Sequence, residues 1–179
     1  MYREELAKLI APYSSGVGVE VGVHKGGTSQ VLLRTYPRLT LWLVDGYLDH
    51  PDYPEHQQQA NFATMHERTV FAGPRRHIVK LPSLEAVKRE EIRHALFDFV
   101  FIDADHSYEA VKADLAAWWP RVKPGGLFCG HDYGKREYGV TQAVDEWHAS
   151  APDGLADRIS DKANVVFGAH IWWVKKGES

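Results

Sequence analysis

The chain is short of several things, and each shortage closes off a class of function. Cysteine occurs once, at Cys129, so no internal disulfide can form and a cysteine-rich zinc site is excluded. No run approaches the ~20 apolar residues of a membrane span. The first residues, Met1-Tyr2-Arg3-Glu4-Glu5, carry acids where a secretory signal needs an apolar stretch. Neither sign of charge dominates. Twenty-one basic against 24 acidic residues give a formal charge of −3, which provides no global attraction to nucleic acid or anionic membrane. Internal repeats and low-complexity tracts are also missing. These absences lead to the expectation of a reducing, cytoplasmic setting, with no nucleic-acid partner and no membrane.

What is present fits one domain. The length of 179 residues compares with roughly 150 per domain. With 44% apolar and 25% charged residues, the composition is that of an ordinary globular chain and excludes bulk disorder. Ten histidines and six tryptophans are many for this length, and they are the only compositional hint of chemistry.

Hydrophobic periodicity orders the chain. Tyr2, Leu6, Leu9 and Ile10 mark a short amphipathic helix that Pro12 stops, giving an N-terminal helical segment over residues 1–12. Val17, Val19, Val21 and Val23 form a strand that runs into glycines, and Val31 to Leu33 belong to the helix that follows. Thr40–Val44 is a second strand, ending at Asp45-Gly46. Residues 47–68 are polar and read as a loop followed by a helix, a candidate cap containing His50, His56 and His66. Ile78–Leu81 predicts a short strand, and Ser83–Ile92 a helix with Ser83 as its cap. Phe97–Ile102 is the strongest strand and ends in Asp103-Ala104-Asp105-His106. Tyr108, Val111, Leu115 and Trp118 predict a helix. Pro124-Gly125-Gly126 suits a type II turn. Leu127–Gly130 is a further strand, ending at His131-Asp132-Tyr133. Val140, Ala143, Val144 and Trp147 mark the last helix, and Val165–Phe167 and Ile171–Val174 predict antiparallel edge strands.

Strands alternating with helices predict βαβ crossovers and a mostly parallel sheet covered on both faces, an α/β fold. Ligands of such sheets bind outside the C-terminal ends of the strands. Each polar cluster falls at such an end: Gly22 to Thr28, Asp45, Ser83, Asp103 to His106, and His131-Asp132.

The first of these clusters, Glu20-Val21-Gly22-Val23-His24-Lys25-Gly26-Gly27-Thr28, is neither a dinucleotide fingerprint nor a P-loop. The third glycine position after Gly16 and Gly18 is Val21, and no Gly-Lys-Ser/Thr closes the loop. Its glycines allow close backbone approach to a ligand, although plain turn glycines would look the same. Glu20 would oppose a pyrophosphate but suits an ammonium or sulfonium. Asp45 can accept from both hydroxyls of a ribose.

Glu20-x-Gly22-x-x-x-Gly26, Asp45, Phe101-Ile102-Asp103-Ala104-Asp105 and Lys123-Pro124-Gly125-Gly126 resemble class I S-adenosylmethionine (SAM)-dependent methyltransferases over about Val17 to Trp147. The resemblance implies a Rossmann-like seven-stranded sheet in the order 3-2-1-4-5-7-6, with strand 7 antiparallel, within a single domain over 1–179. It implies that Glu20, Gly22 and Gly26 line the methionine part of SAM. Asp45 would hold the ribose and Ser83 would lie beside adenine, with His24, Thr28 and Asp103 as further cofactor contacts. His24-Lys25 departs from the family's usual loop.

In that strand order Asp103, Asp105, His106, His131 and Asp132 converge. Acids brought together need a compensating cation or protons. Asp103, His131 and Asp132 are therefore candidate ligands of a divalent metal, Mg²⁺ or Mn²⁺. The alternative is that Asp103 touches only the cofactor while Asp105 caps the next helix. The chain is similar to two metal-dependent O-methyltransferase groups. The catechol and caffeoyl-CoA type implies ligands at Asp103, Asp132 and position 133, where Tyr133 replaces asparagine, and places a catalytic lysine at His106. The antibiotic-sugar type implies a metal-binding pair at His131 and Asp132 and a base at Asp105. His106 or Asp105 is thus the expected base, with imidazole better matched to neutral pH. The expected activity is methylation of a hydroxyl on a small-molecule acceptor. Metal-independent methylation, a nucleotide- or NAD-dependent oxidoreductase, and a SAM-binding module are the alternatives. The acceptor pocket is expected from residues 47–68, the loop after Tyr133 or the second subunit of a homodimer.

Overall fold

Four strands of the sheet stop in a single row, and this row places everything that follows. In the computed structural model, which describes residues 2–49, 54–150, 164–166 and 168–177, strand β1 (Val17–Val21) pairs in parallel with β2 (Thr40–Val44) and β4 (Phe97–Ile102). Val44, Val21, Ile102 and, on β5 (Val122–Gly130), Gly130 are mutual register partners. The ladder continues one step past these residues. Gly22 N–H donates to Val44 O, Asp103 N–H to Val21 O and His131 N–H to Ile102 O, at 2.9, 2.8 and 3.0 Å. The residues that begin the expected functional loops are therefore fixed by main-chain bonds.

With β3 (Arg76–Val79), β6 (Asn164–Val166) and β7 (Ile171–Lys175), the sheet has seven strands in the order β3-β2-β1-β4-β5-β7-β6. Strand β7 runs antiparallel to both of its neighbours. Order and direction are those the family resemblance implied. Helices α1 (Tyr2–Ile10), α2 (Gly27–Thr35) and α3 (Glu55–Thr69) precede β3. Then come α4 (Ser83–Ala86), α5 (Glu90–Arg93), α6 (Tyr108–Trp118) and α7 (Val140–Ala149).

Period-2 alternation sends side chains to two cores. Val19, Val21, Val100, Ile102 and Phe128 pack with Trp118, Val140 and Val144 on one face. Leu41, Leu43, Phe99 and Phe101 pack with Leu6, Ile10, Leu32 and Leu33 on the other. A nine-residue helix such as α1 is marginal in isolation. Leu6 and Ile10 are fully buried, each side chain contributing roughly 1.5–3 kcal/mol, and this burial seats the helix against α2. Trp118, Trp119 and Trp172 fill the core.

Three expectations need correction. The helix predicted over Ser83–Ile92 is two short helices, because Arg89 is extended (ψ 141°) between them. Strand β3 begins and ends two residues earlier than Ile78–Leu81. The strand expected over Leu127–Gly130 begins at Val122, because the Pro124-Gly125-Gly126 turn, with Gly125 at the φ of +73° that a type II turn requires, lies inside β5, where the β4–β5 register shifts. His50 and Phe167 lie outside the described residues. Among the described residues no helix is long and apolar enough to cross a membrane.

Candidate active site

The glycine loop is shaped first by its own neighbours. Gly22 has φ +91°, and a Cβ there would stand 2.1 Å from the Asp103 carbonyl oxygen, so only glycine lets β1 turn beside β4. Gly26, also left-handed, is the N-cap of α2. Asp45 lies at the end of β2 as expected and braces this loop. Its Oδ2 accepts from the N–H groups of Val23 (3.0 Å) and His24 (2.8 Å), and its Oδ1 from Tyr47 N–H (2.9 Å). A carboxylate offers about four acceptor positions, so roughly one remains for a ribose hydroxyl. His24 is exposed, and its carbonyl accepts from the Tyr47 hydroxyl at 2.9 Å. Tyr47 is itself buried edge-on against Phe62 of α3 and so is a strut of the loop rather than an open pocket wall.

Beneath the loop, Glu20 is buried on β1 and accepts a hydrogen bond from Ser29 Oγ of α2. Burial, which the Ser29 bond only partly offsets, and the nearby Asp103 and Asp45 carboxylates push the Glu20 carboxyl up to about 8. A cationic ligand would find here a carboxyl that gains by ionising. Thr28 is buried and bonded through Oγ1 to the Tyr2 hydroxyl at 3.0 Å. Ser83 does not cap its helix, because Pro82 holds the N-cap position. The Ser83 hydroxyl instead donates to Asp114 Oδ1 and accepts from Trp118 Nε1 (2.8 Å). Burial raises Asp114 to about 6, with the Ser83 bond opposing the shift.

The acid–histidine cluster assembles at the ends of β4 and β5 as the strand order predicted. Asp103, His131 and Asp132 each offer a ligand atom, and these atoms lie within 4.8 Å of one another. Donors at ~2.1 Å from a small divalent ion span up to ~4.2 Å across it, so a modest contraction would close the set. His131 Nδ1 is 2.9 Å from Asp132 Oδ1 and 3.6 Å from Asp103 Oδ1. His106 Nε2 is 2.7 Å from Asp132 Oδ2 and 3.7 Å from Asp103 Oδ1. The charges are close, yet buried His106 Nε2 and Asp132 Oδ1 make no well-directed hydrogen bond among the described residues. A buried carboxylate oxygen in that condition is a fitting metal donor, and the mixed oxygen–imidazole set fits Mg²⁺ or Mn²⁺.

Burial alone would lower both imidazoles, but the two carboxylates outweigh it and raise His106 and His131 to about 9. Burial likewise opposes the ionisation of Asp103 and Asp132, and the imidazoles reverse this and hold both acids below the usual carboxylate range. Asp105 is exposed and accepts from Ser107 N–H at 2.7 Å, a turn leading into α6. Tyr133 turns away and donates to Asp145 Oδ1 at 2.7 Å, so it does not complete the Asp/His set.

Four residues of the cluster's surroundings escaped the sequence reading. Tyr2 lays its ring 4.1 Å from that of His131. Arg3 reaches over Gly27, and its buried Nε has no hydrogen-bond partner among the described residues. Lys135 Nζ is 2.6 Å from Asp132 Oδ1. Tyr138 stacks on His106 at 4.4 Å and 18°. His56 and His66 are exposed on α3, and His66 contacts the Arg76 guanidinium.

The chain belongs to a methyltransferase family: a family profile described as a methyltransferase domain matches residues 19–133, the span from β1 to the end of the acid–histidine cluster. That membership decides against the oxidoreductase alternative. No curated protein matches the chain. Among solved structures it is similar to the MycE methyltransferase of the mycinamycin biosynthetic pathway, solved with Mg and S-adenosylhomocysteine (SAH). The identity is 21% and the TM-score 0.64, over 98% of this chain and 49% of that one. The chain thus spans about half the length of MycE. It is also similar to a putative O-methyltransferase from Klebsiella pneumoniae, at 18% identity and TM-score 0.70, over 99% and 80% of the two chains. An O-methyltransferase from Bacillus cereus in complex with SAH shares 16% identity and TM-score 0.67, over 97% and 80%. At these identities the likeness is one of fold.

Proposed function

We propose that the protein is a SAM-dependent methyltransferase that methylates a hydroxyl of a small molecule, with a divalent cation held by Asp103, His131 and Asp132. The observation that carries the reading is the convergence of this trio with His106 in the same row of strand ends as Glu20 and the glycine loop. Family membership and SAH- and Mg-containing neighbours of the same fold support it.

A cation bound at the trio would supply Lewis acidity, lowering the pKa of a bound hydroxyl as it does that of bound water. The remaining work falls to the chain. The glycine loop, braced by Asp45, seats the cofactor, and Glu20 complements its positive charge. The Asp132 and Asp103 carboxylates, 2.7 and 3.7 Å from His106 Nε2, hold the imidazole protonated at neutral pH. With their charge offset by a cation at the trio, the imidazole pKa falls and Nε2 is free to take the acceptor's proton. Tyr138, stacked on the ring, fixes its plane. The acceptor oxygen then forms its bond to the methyl carbon as the bond to sulfur breaks, leaving SAH. Positioning supplies much of the acceleration.

The test is calorimetry with SAM and SAH, followed by transfer of labelled methyl from SAM to a panel of phenols, catechols and glycosides. The transfer is run with Mg²⁺, with Mn²⁺ and after chelation. Failure to bind SAM removes the methyltransferase reading, and full turnover in chelator removes the metal.

A further inference from the structure

The loop between β5 and α7 carries a cation into the cluster that neither family membership nor the proposed mechanism requires. Asp132 is almost wholly buried, and three positive or hydrogen-bonding groups surround its carboxylate. His106 Nε2 is at one oxygen, and His131 Nδ1 (2.9 Å) and Lys135 Nζ (2.6 Å) are at the other. Lys135 comes from a strap tied down at both ends. Gly134 N–H donates to Thr141 Oγ1 at 2.8 Å, and Gly139 N–H donates to His106 O at 2.9 Å. Lys135 Nζ also lies 5.3 Å from the centre of the Tyr138 ring, on the same strap.

Oxygen Oδ1 of Asp132 cannot serve two masters. A divalent ion at ~2.1 Å from Oδ1 and from His131 Nδ1 would occupy the space into which the Lys135 ammonium now points, and two like charges there repel. The three neighbours differ in their freedom to leave. His131 follows the end of β5 directly, its N–H bonded to Ile102 O, and His106 is clamped by Tyr138. Lys135 alone reaches the carboxylate on a flexible four-carbon stem, with no ring to be held by stacking.

We propose that Lys135 is the resident counter-cation of this site, and that its ammonium and a divalent ion alternate on Asp132. With no divalent ion bound, Lys135 keeps the buried carboxylate compensated and the strap in place. Arrival of the ion releases the ammonium toward solvent and the Tyr138 face. The proposal rests on the reading that Asp103, His131 and Asp132 hold a cation, and it predicts that Lys135 weakens that cation's binding.

The experiment titrates Mn²⁺ into the full-length protein, without SAM or acceptor, following heat and the paramagnetic resonance of free Mn²⁺. Lys135→Met should bind Mn²⁺ about tenfold tighter than the unaltered chain, and Lys135→Arg, which keeps the charge, should stay within about threefold of it. A Mn²⁺-induced rise in melting temperature should be larger for Lys135→Met. Near-ultraviolet dichroism checks the fold of each variant, and Lys135→Gln serves as a second neutral replacement. Saturable binding that is equal or weaker in both neutral variants overturns the alternation and leaves the metal reading standing. No saturable binding by any of the proteins overturns both.

Discussion

One carboxylate braces two imidazoles: Asp132 Oδ2 lies 2.7 Å from His106 Nε2, and Asp132 Oδ1 lies 2.9 Å from His131 Nδ1. The two histidines therefore have separable roles, one expected to hold a cation and one to move a proton. His106→Gln should lower kcat by ~10²–10⁴-fold, the usual worth of a general base, while SAM affinity stays within about threefold. Steady-state kinetics together with SAM calorimetry make the check. A comparable loss of SAM binding would show that His106 positions cofactor instead.

Glu20 leads to a pH prediction for binding. Its buried carboxyl is raised to about 8, so near pH 7 it is mostly protonated without ligand. A cationic amino acid moiety beside it favours the ionised form, and binding must then release a proton below pH 8. SAM and SAH should therefore bind more tightly as pH rises from 6 to 8, by up to about tenfold per pH unit, and level off above. Calorimetry in buffers of different ionisation heat reads the released proton directly. Glu20→Gln should weaken binding and flatten this dependence, and an unchanged slope in that variant would rule Glu20 out as its source.

Asp114 makes a prediction about stability. Burial raises it from an ordinary 3.8 to about 6, so between those values the folded chain holds a proton that the unfolded chain has released. Its contribution is most favourable below pH 4, declines as pH rises to about 6, and then stays constant. The decline amounts to at most about 3 kcal/mol. Asp114→Asn keeps an acceptor for Ser83 and removes the charge. In urea unfolding the variant should gain on the unaltered chain between pH 4 and pH 7, and a gap that does not change with pH would contradict this account.

The sequence made the strands legible where physics left one choice. Strands Thr40–Val44 and Phe97–Ile102 carry the apolar runs Leu41–Val44 and Phe99–Ile102, which suit a sheet buried on both faces, and both strands have the predicted limits. Strand β3 was displaced because it is an edge strand beginning with Arg76 and His77, whose polarity hides its first turn of pairing. Ser83 was misread because cap chemistry is local, whereas its real partners, Asp114 and Trp118, come from α6. The metal trio could be read because strand order alone brings β4 and β5 together. Tyr2, Arg3 and Lys135 could not, since each reaches the site through a packing angle or a turn that no periodicity encodes. Lys135 left a faint signal in standing three residues after Asp132, beyond a glycine.

The alignment of the strand ends has a consequence for how the protein can change. Asp45, Gly22, Asp103 and His131 are all held by ladder bonds that extend the sheet, so the parts proposed to bind cofactor and cation are anchored in main chain. The parts free to vary, Arg136 and Glu137 of the strap and the exposed side of α3, border that row without building it. Acceptor preference can therefore drift or be redesigned by rewriting two peripheral segments while the transfer machinery is inherited intact. A library confined to Arg136, Glu137 and the exposed positions of α3, with Asp132, Lys135, Tyr138 and His106 untouched, should contain many folded, cofactor-binding proteins that differ in what they methylate.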